Sequence, residues 1–401
     1  MFTRRKKIIL SVCLSVVAVI VISLILYFSL KKSDSMTPEN QPEIKPDDPY
    51  DPDDPKPSQN SQQRGINLED QTVLNIDPFK NSPENNLPIS WPYVNLYENK
   101  PNTYRTFSFS GKQNQNWVKY LVLNDFFVMI GLDLSNNSED IDELVEFYAD
   151  NKIKMDKFLI AISVANEPFV SEINQIKTKI KVIRDLITQK KLMDIPITCV
   201  VSLTENETQQ WIVPGTSYPP KSCRFSEFYL DLLSDLDIIA FNCYGGFFSQ
   251  RSLTEELSFD VALSESISWI PGNSILINQF SALRSAMKAV NLPTNKRLWI
   301  TETGWSSSQL LRNGEVIRDQ DGVPQTTPEW SNQANQLTFY RNFLNFDMQT
   351  NMKFTIDDFD YNFEPPEKIF FFCLRDSFLA RENISEFFGL FLENLNSLQE
   401  K

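Results

Sequence analysis

Short runs of apolar residues recur along the chain from about residue 104 onwards, separated by longer segments of mixed character. The runs are TYRTFSF near 104, FFVMIGLDL near 126, FLIAISV near 158, ITCVVSL near 197, LDIIAFNCY near 236, RLWITETG near 297 and IFFFCL near 369. Several of them are continuously apolar instead of alternating with polar positions, which is typical of strands buried on both faces of a parallel sheet. The pattern therefore predicts seven strands of a parallel sheet.

The segments between the runs have the amphipathic pattern of helices, as in EINQIKTKIKVIRDLITQKK and WSNQANQLTFYRNFLNF. Seven strands that alternate with helices, and a weak eighth strand between Ile66 and Ile76, predict an α/β fold of the (β/α)8 TIM barrel type with insertions. A doubly wound open sheet is the alternative architecture. The chain has no GxGxxG after a strand and no GxxxxGK[ST], so no pattern indicates a nucleotide site.

The first 32 residues have the pattern of a signal anchor. Residues 8–30 are uncharged and long enough to cross a bilayer as a helix, and four basic residues precede them against two that follow. This distribution favours a cytosolic tail at residues 1–7 and a single-pass type II membrane protein whose remaining chain is extracellular or luminal. A cleaved signal peptide is the alternative, and it would leave the exported domain unchanged.

Residues 33–65 contain seven prolines and eight acidic residues and almost nothing apolar. Such a composition cannot bury enough surface to fold, so we predict a disordered tether there and a folded domain over residues 66–401. The chain carries a formal charge of −14, to which the first 32 residues contribute +6 and the tether −5, which leaves −15 for the folded domain. A domain of this charge repels nucleic acid, so a neutral or cationic ligand is expected.

Four cysteines lie in the predicted exported part: Cys199, Cys223, Cys243 and Cys373. Sequence does not distinguish among their three possible pairings, and buried free thiols are an equal alternative for Cys199 and Cys373. The triplets at Asn136, Asn206 and Asn383 are acceptors for N-glycosylation and fit an exported glycoprotein.

The chain has no histidine, which removes histidine-activated nucleophiles, histidine-ligated zinc and imidazole bases, so carboxylates are expected to carry any acid–base chemistry. Two glutamates follow apolar strands: FLIAISVANEPF contains Asn166 and Glu167, and RLWITETGW contains Glu302. If these are the fourth and seventh strands of a barrel, both carboxylates project over the cavity at the carboxyl ends of the strands. Two such carboxylates are what cleavage of a glycosidic bond requires. For either glutamate alone, a helix N-cap or a surface position is the alternative.

Four motifs in the order VANEP, NCYGGFF, TETGWSS and FFGLF resemble those of glycoside hydrolase family 17, the endo-β-1,3-glucanases and β-1,3-glucan transferases of plants and fungi. The resemblance runs from about Tyr104 to Phe391, and it implies that Glu302 is the nucleophile and Glu167 the acid/base, with no metal or other cofactor. It also implies a sugar-binding set: Asn166 at the sugar 2-hydroxyl, Tyr244 holding Glu302, Arg105 and Asn242 on the floor of the site, and Phe247 and Trp305 as stacking surfaces. Core packing is the alternative for those two aromatic residues.

The chain departs from the family pattern in two places. Two glycines replace the proline expected after the aromatic residue in NCYGGFF, and LRDSFLARE offers only Asp376 and Arg381 where the family has an acidic pair and a lysine, so neither is assigned a role. The sequence thus predicts a monomeric, membrane-anchored retaining β-glycosidase that acts on a neutral β-glucan, chiefly β-1,3-glucan, at the cell surface or wall by hydrolysis or transglycosylation. The alternatives are a weak or inactive barrel that binds glucan, and a different glycosidase of the same clan, such as a mannanase or galactanase.

Overall fold

The computed structural model describes residues 63–68, 101–135, 138–203, 207–214, 223–244, 275–292, 296–318, 322, 324, 331–348, 352–356, 359–374, 376–379 and 384–390. All of these residues belong to a unit that spans residues 57–401. The predicted tail, membrane span and tether lie outside the described ranges, except for the last three tether residues. Across the described ranges, no helix has the length and apolar character that a membrane crossing needs.

Eight parallel strands close into a barrel, and the barrel prediction is confirmed. The strands are β1 (Arg64–Asn67), β2 (Thr103–Arg105), β3 (Phe127–Leu132), β4 (Leu159–Asn166), β5 (Ile197–Ser202), β6 (Ile238–Asn242), β7 (Arg297–Thr303) and β8 (Lys368–Phe371). Each strand pairs with its neighbours in chain order, and β8 closes on β1. Every predicted run overlaps one of the strands β2 to β8. Strand β1 overlaps the start of the segment predicted to hold the weak strand and begins two residues before the predicted domain.

Helices follow most of the strands. They are α1 (Gly111–Leu123), α2 (Ser138–Asp150), α3 (Lys152–Phe158), α4 (Ile173–Gln189), α5 (Glu227–Leu233), α6 (Ile275–Ala289) and α7 (Gln333–Asn345). Helix α4 illustrates why they form: Ile176, Ile180, Ile183 and Ile187 recur every three or four positions and are all buried. One apolar face of the helix therefore packs against the rest of the fold, while Lys181 on the far side is exposed.

Alternation along the strands separates two apolar layers. Val200, Trp299 and Phe370 belong to a cluster inside the barrel, whereas the neighbouring positions of the same strands pack with the helices. Gly65 is required in β1, because a Cβ there would lie 2.3 Å from Cδ1 of Phe370. Towards the carboxyl ends of the strands the buried interior positions become polar: Asn67, Arg105 and Asn242. The barrel therefore has an apolar interior with a polar floor at one end.

Short strands outside the barrel form three small sheets. They pair Ile212–Pro214 with Cys223–Phe225, Met352–Ile356 with Phe359–Phe363, and Glu315–Val316, Leu311–Arg312, Ile384–Glu386 and Ser377–Leu379 in that order. The four cysteines of the described part are free thiols, so the pairings that the sequence left open do not occur among them. Burial raises the pKa of Cys223 to about 12 and that of Cys199 further, which keeps these thiols protonated.

Candidate active site

Glu302 lies at the carboxyl end of β7 with its side chain buried. Nη1 of Arg105, from the end of β2, forms an ion pair with Oε1 of Glu302 at 2.9 Å. The hydroxyl of Tyr244, just beyond β6, donates to Oε2 over 2.7 Å. Each carboxylate oxygen thus has its own donor, which stabilises the anion and fixes its orientation.

The backbone before Glu302 is held by the first two strands. Nδ2 of Asn67 donates to the carbonyl of Thr301 over 3.0 Å, and Nη1 of Arg105 donates to the same carbonyl over 3.1 Å. On the other side, the backbone N–H of Cys243 donates to the carbonyl of Glu302 over 2.9 Å. The position of the Glu302 backbone therefore depends on β1, β2 and the chain after β6.

Glu167 follows β4, whose end is irregular. Between Ser163 and Asn166, strand β4 has one residue more than the opposing stretch of β5, and Ala165 and Glu167 have φ values of +70° and +47°. A bulge of this kind changes the direction of the side chains at a strand end. Nδ2 of Asn242 lies 2.9 Å from Oε1 of Glu167, so the carboxylate is turned towards the end of β6.

Arg105, Asn166 and Asn242 connect the two glutamates. Nη2 of Arg105 donates to Oδ1 of Asn166 over 2.6 Å, and Nδ2 of Asn242 is 3.4 Å from the same oxygen. Asn242 is also the register partner of Glu302 between β6 and β7, and its Oδ1 accepts a hydrogen bond from Thr301 over 2.9 Å. Both carboxylates therefore lie at the same end of the barrel, within one hydrogen-bond network.

The charge of Arg105 acts on both carboxylates. Burial lowers the pKa of its guanidinium below the ordinary value of 12.5, whereas Glu302, most strongly, and then Tyr244 and Glu167 act in the opposite direction. The guanidinium also lies 4.5 Å from the centre of the Phe107 ring, which covers it on one side. A single buried cation is thus in electrostatic reach of the two groups that the sequence singled out.

Aromatic residues from the end of the chain support Tyr244. The ring of Phe388 lies 5.4 Å and that of Phe372 lies 6.3 Å from the Tyr244 ring, both edge to face. Phe372 in turn contacts Phe107 at 6.2 Å. The two donors of Glu302, Arg105 and Tyr244, are therefore packed against one aromatic cluster.

Six of the eight predicted site residues meet in this network: Arg105, Asn166, Glu167, Asn242, Tyr244 and Glu302. Phe247 lies outside the described residues. The structure corrects the stacking role predicted for Trp305, whose side chain is 0% exposed and whose ring packs 6.0 Å from that of Phe339 in α7. Core packing, the alternative for this residue, is what the fold shows, because the chain after β7 turns the ring into the helix layer.

The segment that departs from the family pattern lies beside the barrel end. Asp376 is buried and accepts a hydrogen bond from the backbone N–H of Gly389 over 2.9 Å. It therefore ties the chain after β8 to the segment that carries Phe388. Arg381 lies outside the described residues.

The sequence does not predict three residues of the site: Asn67, Gln209 and Trp211. Nε2 of Gln209 donates to the carbonyl of Glu167 over 3.0 Å, and Nε1 of Trp211 donates to the carbonyl of Pro168 over 2.8 Å. Asn67 lies at the start of the segment predicted to hold the weak strand, but the sequence does not show that the strand ends there. Gln209 and Trp211 have no sequence signal, because they belong to the connection after β5, where no motif or periodicity stands out.

The arrangement provides two carboxylates in different settings at one barrel end. Glu302 is held as an anion by two donors, and Glu167 is half-buried beside a neutral amide. An oriented anion is suited to attack on carbon, and a carboxyl group with access to solvent is suited to proton transfer. Within the described ranges, no cluster of three or more Cys, Asp or Glu side chains is placed to hold a metal ion.

Comparison with known protein-family profiles found no match, and neither did a search of curated protein sequences. Among solved structures, a β-1,3-glucanosyltransferase mutant of Rhizomucor miehei in complex with laminaritriose is 14% identical, with 85% of this chain and 96% of that chain covered and a TM-score of 0.43. A plant β-glucan endohydrolase is 12% identical, with coverages of 77% and 92% and a TM-score of 0.46. A β-glucuronidase of Faecalibacterium prausnitzii is 12% identical, with coverages of 77% and 42% and a TM-score of 0.37. At such identities and TM-scores, these similarities do not indicate which reaction or substrate belongs to this chain.

Proposed function

We propose that the chain is a retaining β-glycosidase that acts on β-glucan, with β-1,3-glucan as its main substrate, by hydrolysis or transglycosylation. The observation that carries the proposal is the network in which Arg105, Asn166 and Asn242 link Glu302 at the end of β7 to Glu167 just after β4. Retaining cleavage of a glycosidic bond uses two carboxylates on one cavity, one as nucleophile and one as proton donor.

In the first step, a carboxylate oxygen of Glu302 attacks the anomeric carbon while the bond to the glycosidic oxygen breaks. Glu167, protonated at the start, gives its proton to that oxygen, so the leaving sugar departs as a neutral alcohol. The product is a glycosyl ester of Glu302. Arg105 and Tyr244 fix the direction of attack, because each holds one oxygen of the carboxylate.

In the second step, the ionised Glu167 takes a proton from an incoming hydroxyl group, whose oxygen attacks the anomeric carbon and releases Glu302. When the hydroxyl belongs to water the outcome is hydrolysis, and when it belongs to another sugar the outcome is transfer. Both outcomes retain the anomeric configuration, since each step inverts it once. Product analysis on laminari-oligosaccharides distinguishes them, because only transfer yields longer oligomers.

The substrate class rests on charge and on the sequence motifs. A formal charge of −15 on residues 66–401 disfavours acidic polymers, which supports a neutral polysaccharide. The β-1,3 linkage rests on the resemblance carried by TETGW together with NCYGGFF, which contain Glu302 and Tyr244. A neutral β-glucan is therefore the substrate that fits both observations.

The proposal is tested by assaying the purified domain against a panel of β-1,3-glucan, mixed-linkage glucan, mannan and galactan. We expect release or rearrangement of β-1,3-linked products, with the β-anomer formed first in a proton magnetic resonance time course. Activity on mannan or galactan alone would reassign the substrate within the same clan. Glucan binding without turnover would instead support a glucan-binding protein that has lost catalysis.

We further propose that the protein is a monomer anchored by residues 8–30, with the barrel on the extracellular or luminal side. The uncharged length of this segment and the basic residues around it support the anchor. In sealed membrane vesicles, protease should spare the barrel when the barrel lies in the vesicle lumen and should digest it when it lies outside. Alkaline carbonate should not extract the full chain from the membrane. A barrel that is extracted by carbonate would contradict the anchor without bearing on the glycosidase proposal.

A further inference from the structure

The backbone at Glu167 has a conformation that its own sequence disfavours. Ala165 and Glu167 have φ values of +70° and +47°, in the left-handed region that residues other than glycine seldom occupy. Glu167 also precedes Pro168, and a residue before proline is restricted chiefly to extended conformations. Such a conformation persists only where the surrounding structure determines it.

Two side chains from one segment hold the carbonyl groups of this backbone. Nε2 of Gln209 donates to the carbonyl of Glu167 over 3.0 Å, and Nε1 of Trp211 donates to the carbonyl of Pro168 over 2.8 Å. Because the direction of a carbonyl group is set by the ψ angle of its own residue, the two bonds fix two consecutive ψ angles. The N–H of Glu167 is held in addition by the carbonyl of Val200 at 2.9 Å.

The segment that provides these donors is itself anchored in the core. Trp211 is fully buried, and its ring lies 6.2 Å from that of Tyr229 in α5. The carbonyl of Trp211 accepts a hydrogen bond from the N–H of Ser226 over 3.0 Å, and Ile212 forms a bridge with Leu203 after β5. The donors are thus fixed in place before substrate arrives.

We infer that Gln209 and Trp211 are positioning residues for the acid/base Glu167, an inference that rests on the proposed glycosidase function. Without the two bonds, the backbone at Glu167 relaxes towards the extended conformation that precedes a proline. That change redirects the Cβ of Glu167 and moves the carboxyl group away from Nδ2 of Asn242, which now lies 2.9 Å from its Oε1. The side-chain hydrogen bonds to Glu302 come from Arg105 and Tyr244, so the nucleophile stays in position.

The chemical consequence is confined to proton transfer. In the first step the O–H bond of the Glu167 carboxyl group breaks, and the proton moves to the glycosidic oxygen as the bond from carbon to that oxygen breaks. A sugar leaving group needs this proton, whereas a dinitrophenolate ion leaves without it. Displacement of Glu167 therefore slows cleavage of a glucan and spares the first step on an aryl glycoside.

The test compares Trp211→Phe and Gln209→Leu with the wild type on both kinds of substrate. Trp211→Phe keeps a buried ring and removes the donor. Gln209→Leu keeps a side chain of similar size and removes the donor at a half-buried position. Trp299→Phe is the matched control: Nε1 of this buried residue donates to Glu367 over 3.0 Å at the opposite end of the barrel. Thermal unfolding of each variant is measured beside the kinetics.

We expect Trp211→Phe and Gln209→Leu each to lower kcat/KM on laminari-oligosaccharides by about tenfold, a part of the contribution that a general acid makes, and to change it by less than about threefold on a dinitrophenyl glucoside. The basic limb of the pH profile should also move on the oligosaccharide. Trp299→Phe should change kcat/KM by the same factor on both substrates. Equal losses on both substrates, or no loss on either, in an active protein overturn the inference alone. A wild type without turnover on any substrate overturns the proposed function and this inference with it.

Discussion

The two glutamates of the site stand at the ends of strands in the same barrel but are held in different ways. Glu302 continues a strand, is 6% exposed and receives a hydrogen bond on each oxygen, from Arg105 and Tyr244. Glu167 follows a bulge, has a left-handed backbone, is half-buried and receives a hydrogen bond from the neutral amide of Asn242.

This difference matches the two roles. A nucleophile remains an anion until it forms a bond, and a cation with a hydroxyl group stabilises that state and fixes its direction. An acid/base must gain and lose a proton within each cycle, and the half-buried position of Glu167 gives its carboxyl group access to solvent for that exchange. Glu302 and Glu167 both lie at strand ends, so the difference between their roles follows from the groups that surround each carboxylate.

The largest effect should follow from Glu302→Gln. The substitution removes the nucleophilic charge while the amide keeps the size of the side chain and an acceptor for Arg105, so we expect turnover of β-glucan to fall by roughly 10⁴-fold or more in a folded protein. The matched control is Glu367→Gln, which breaks the 2.6 Å ion pair with Arg297 at the amino end of the barrel and should leave turnover unchanged. Equal turnover in the two variants would show that Glu302 is not the nucleophile.

Glu167→Gln should be less severe and should depend on the substrate. Loss of the proton donor is expected to lower kcat/KM on glucan by roughly 10² to 10⁴-fold, the usual contribution of general acid catalysis. An activated aryl glycoside should still form the glycosyl ester at nearly the normal rate, and the basic limb of its pH profile should vanish. If the substitution slows both substrates alike, the half-buried carboxylate is not the acid.

Lys368 offers a stability test at the amino end of the barrel. Burial lowers its pKa from 10.5 to about 8, so between these pH values the unfolded chain binds more protons than the folded one and the free energy of unfolding rises with pH. The charged folded form is penalised by roughly 3 kcal/mol at most below pH 8. In Lys368→Met, denaturant titrations should therefore show a gain over the wild type that is largest below pH 8 and shrinks towards pH 10.5, with kcat unchanged. A gain that does not vary with pH would contradict the lowered pKa.

The smallest effect should come from the tyrosines. Tyr244→Phe removes the donor to Oε2 of Glu302 and should lower kcat by about tenfold, the low end of what a hydrogen bond to a charged group contributes. Tyr229→Phe is the control, because among the described residues the buried hydroxyl of Tyr229 has no hydrogen-bond partner. We expect the control to keep full activity and to be as stable as the wild type or more so. Similar kinetic losses in both variants would show that Tyr244 acts through packing alone.

Much of the barrel could be predicted because its central strands are continuously apolar. Strand β1 was harder to locate, since RGIN contains one large apolar residue. Its polar residues are buried through partners far away in sequence: the Arg64 side chain donates to the carbonyls of Phe343 and Phe346, and Asn67 donates to Thr301. Apolar periodicity cannot reveal a strand whose burial depends on such bonds.

The site, like the barrel, has residues that the sequence predicts and residues that it does not. The six residues of the network lie directly at strand ends, where the topology of a barrel brings them together whatever their separation in sequence. Gln209 and Trp211 lie in a connection, and their relation to Glu167 depends on the path of the chain after β5, which no local pattern encodes. The TETGW motif predicts a stacking role for Trp305, but the turn after β7 directs its ring into the core.

The central claim is that Glu302 forms the covalent bond to the sugar while Glu167 handles the proton. The most direct measurement is to treat the enzyme with a 2-deoxy-2-fluoro laminaribioside that carries a dinitrophenyl leaving group, which forms the glycosyl ester quickly and releases it slowly, and to map the labelled peptide by mass spectrometry. We expect one fluoroglycosyl group per chain, attached to Glu302 in the TETGW peptide and absent from Glu302→Gln. A label on Glu167, or turnover of the wild type with inversion of the anomeric configuration and no label, would contradict the account.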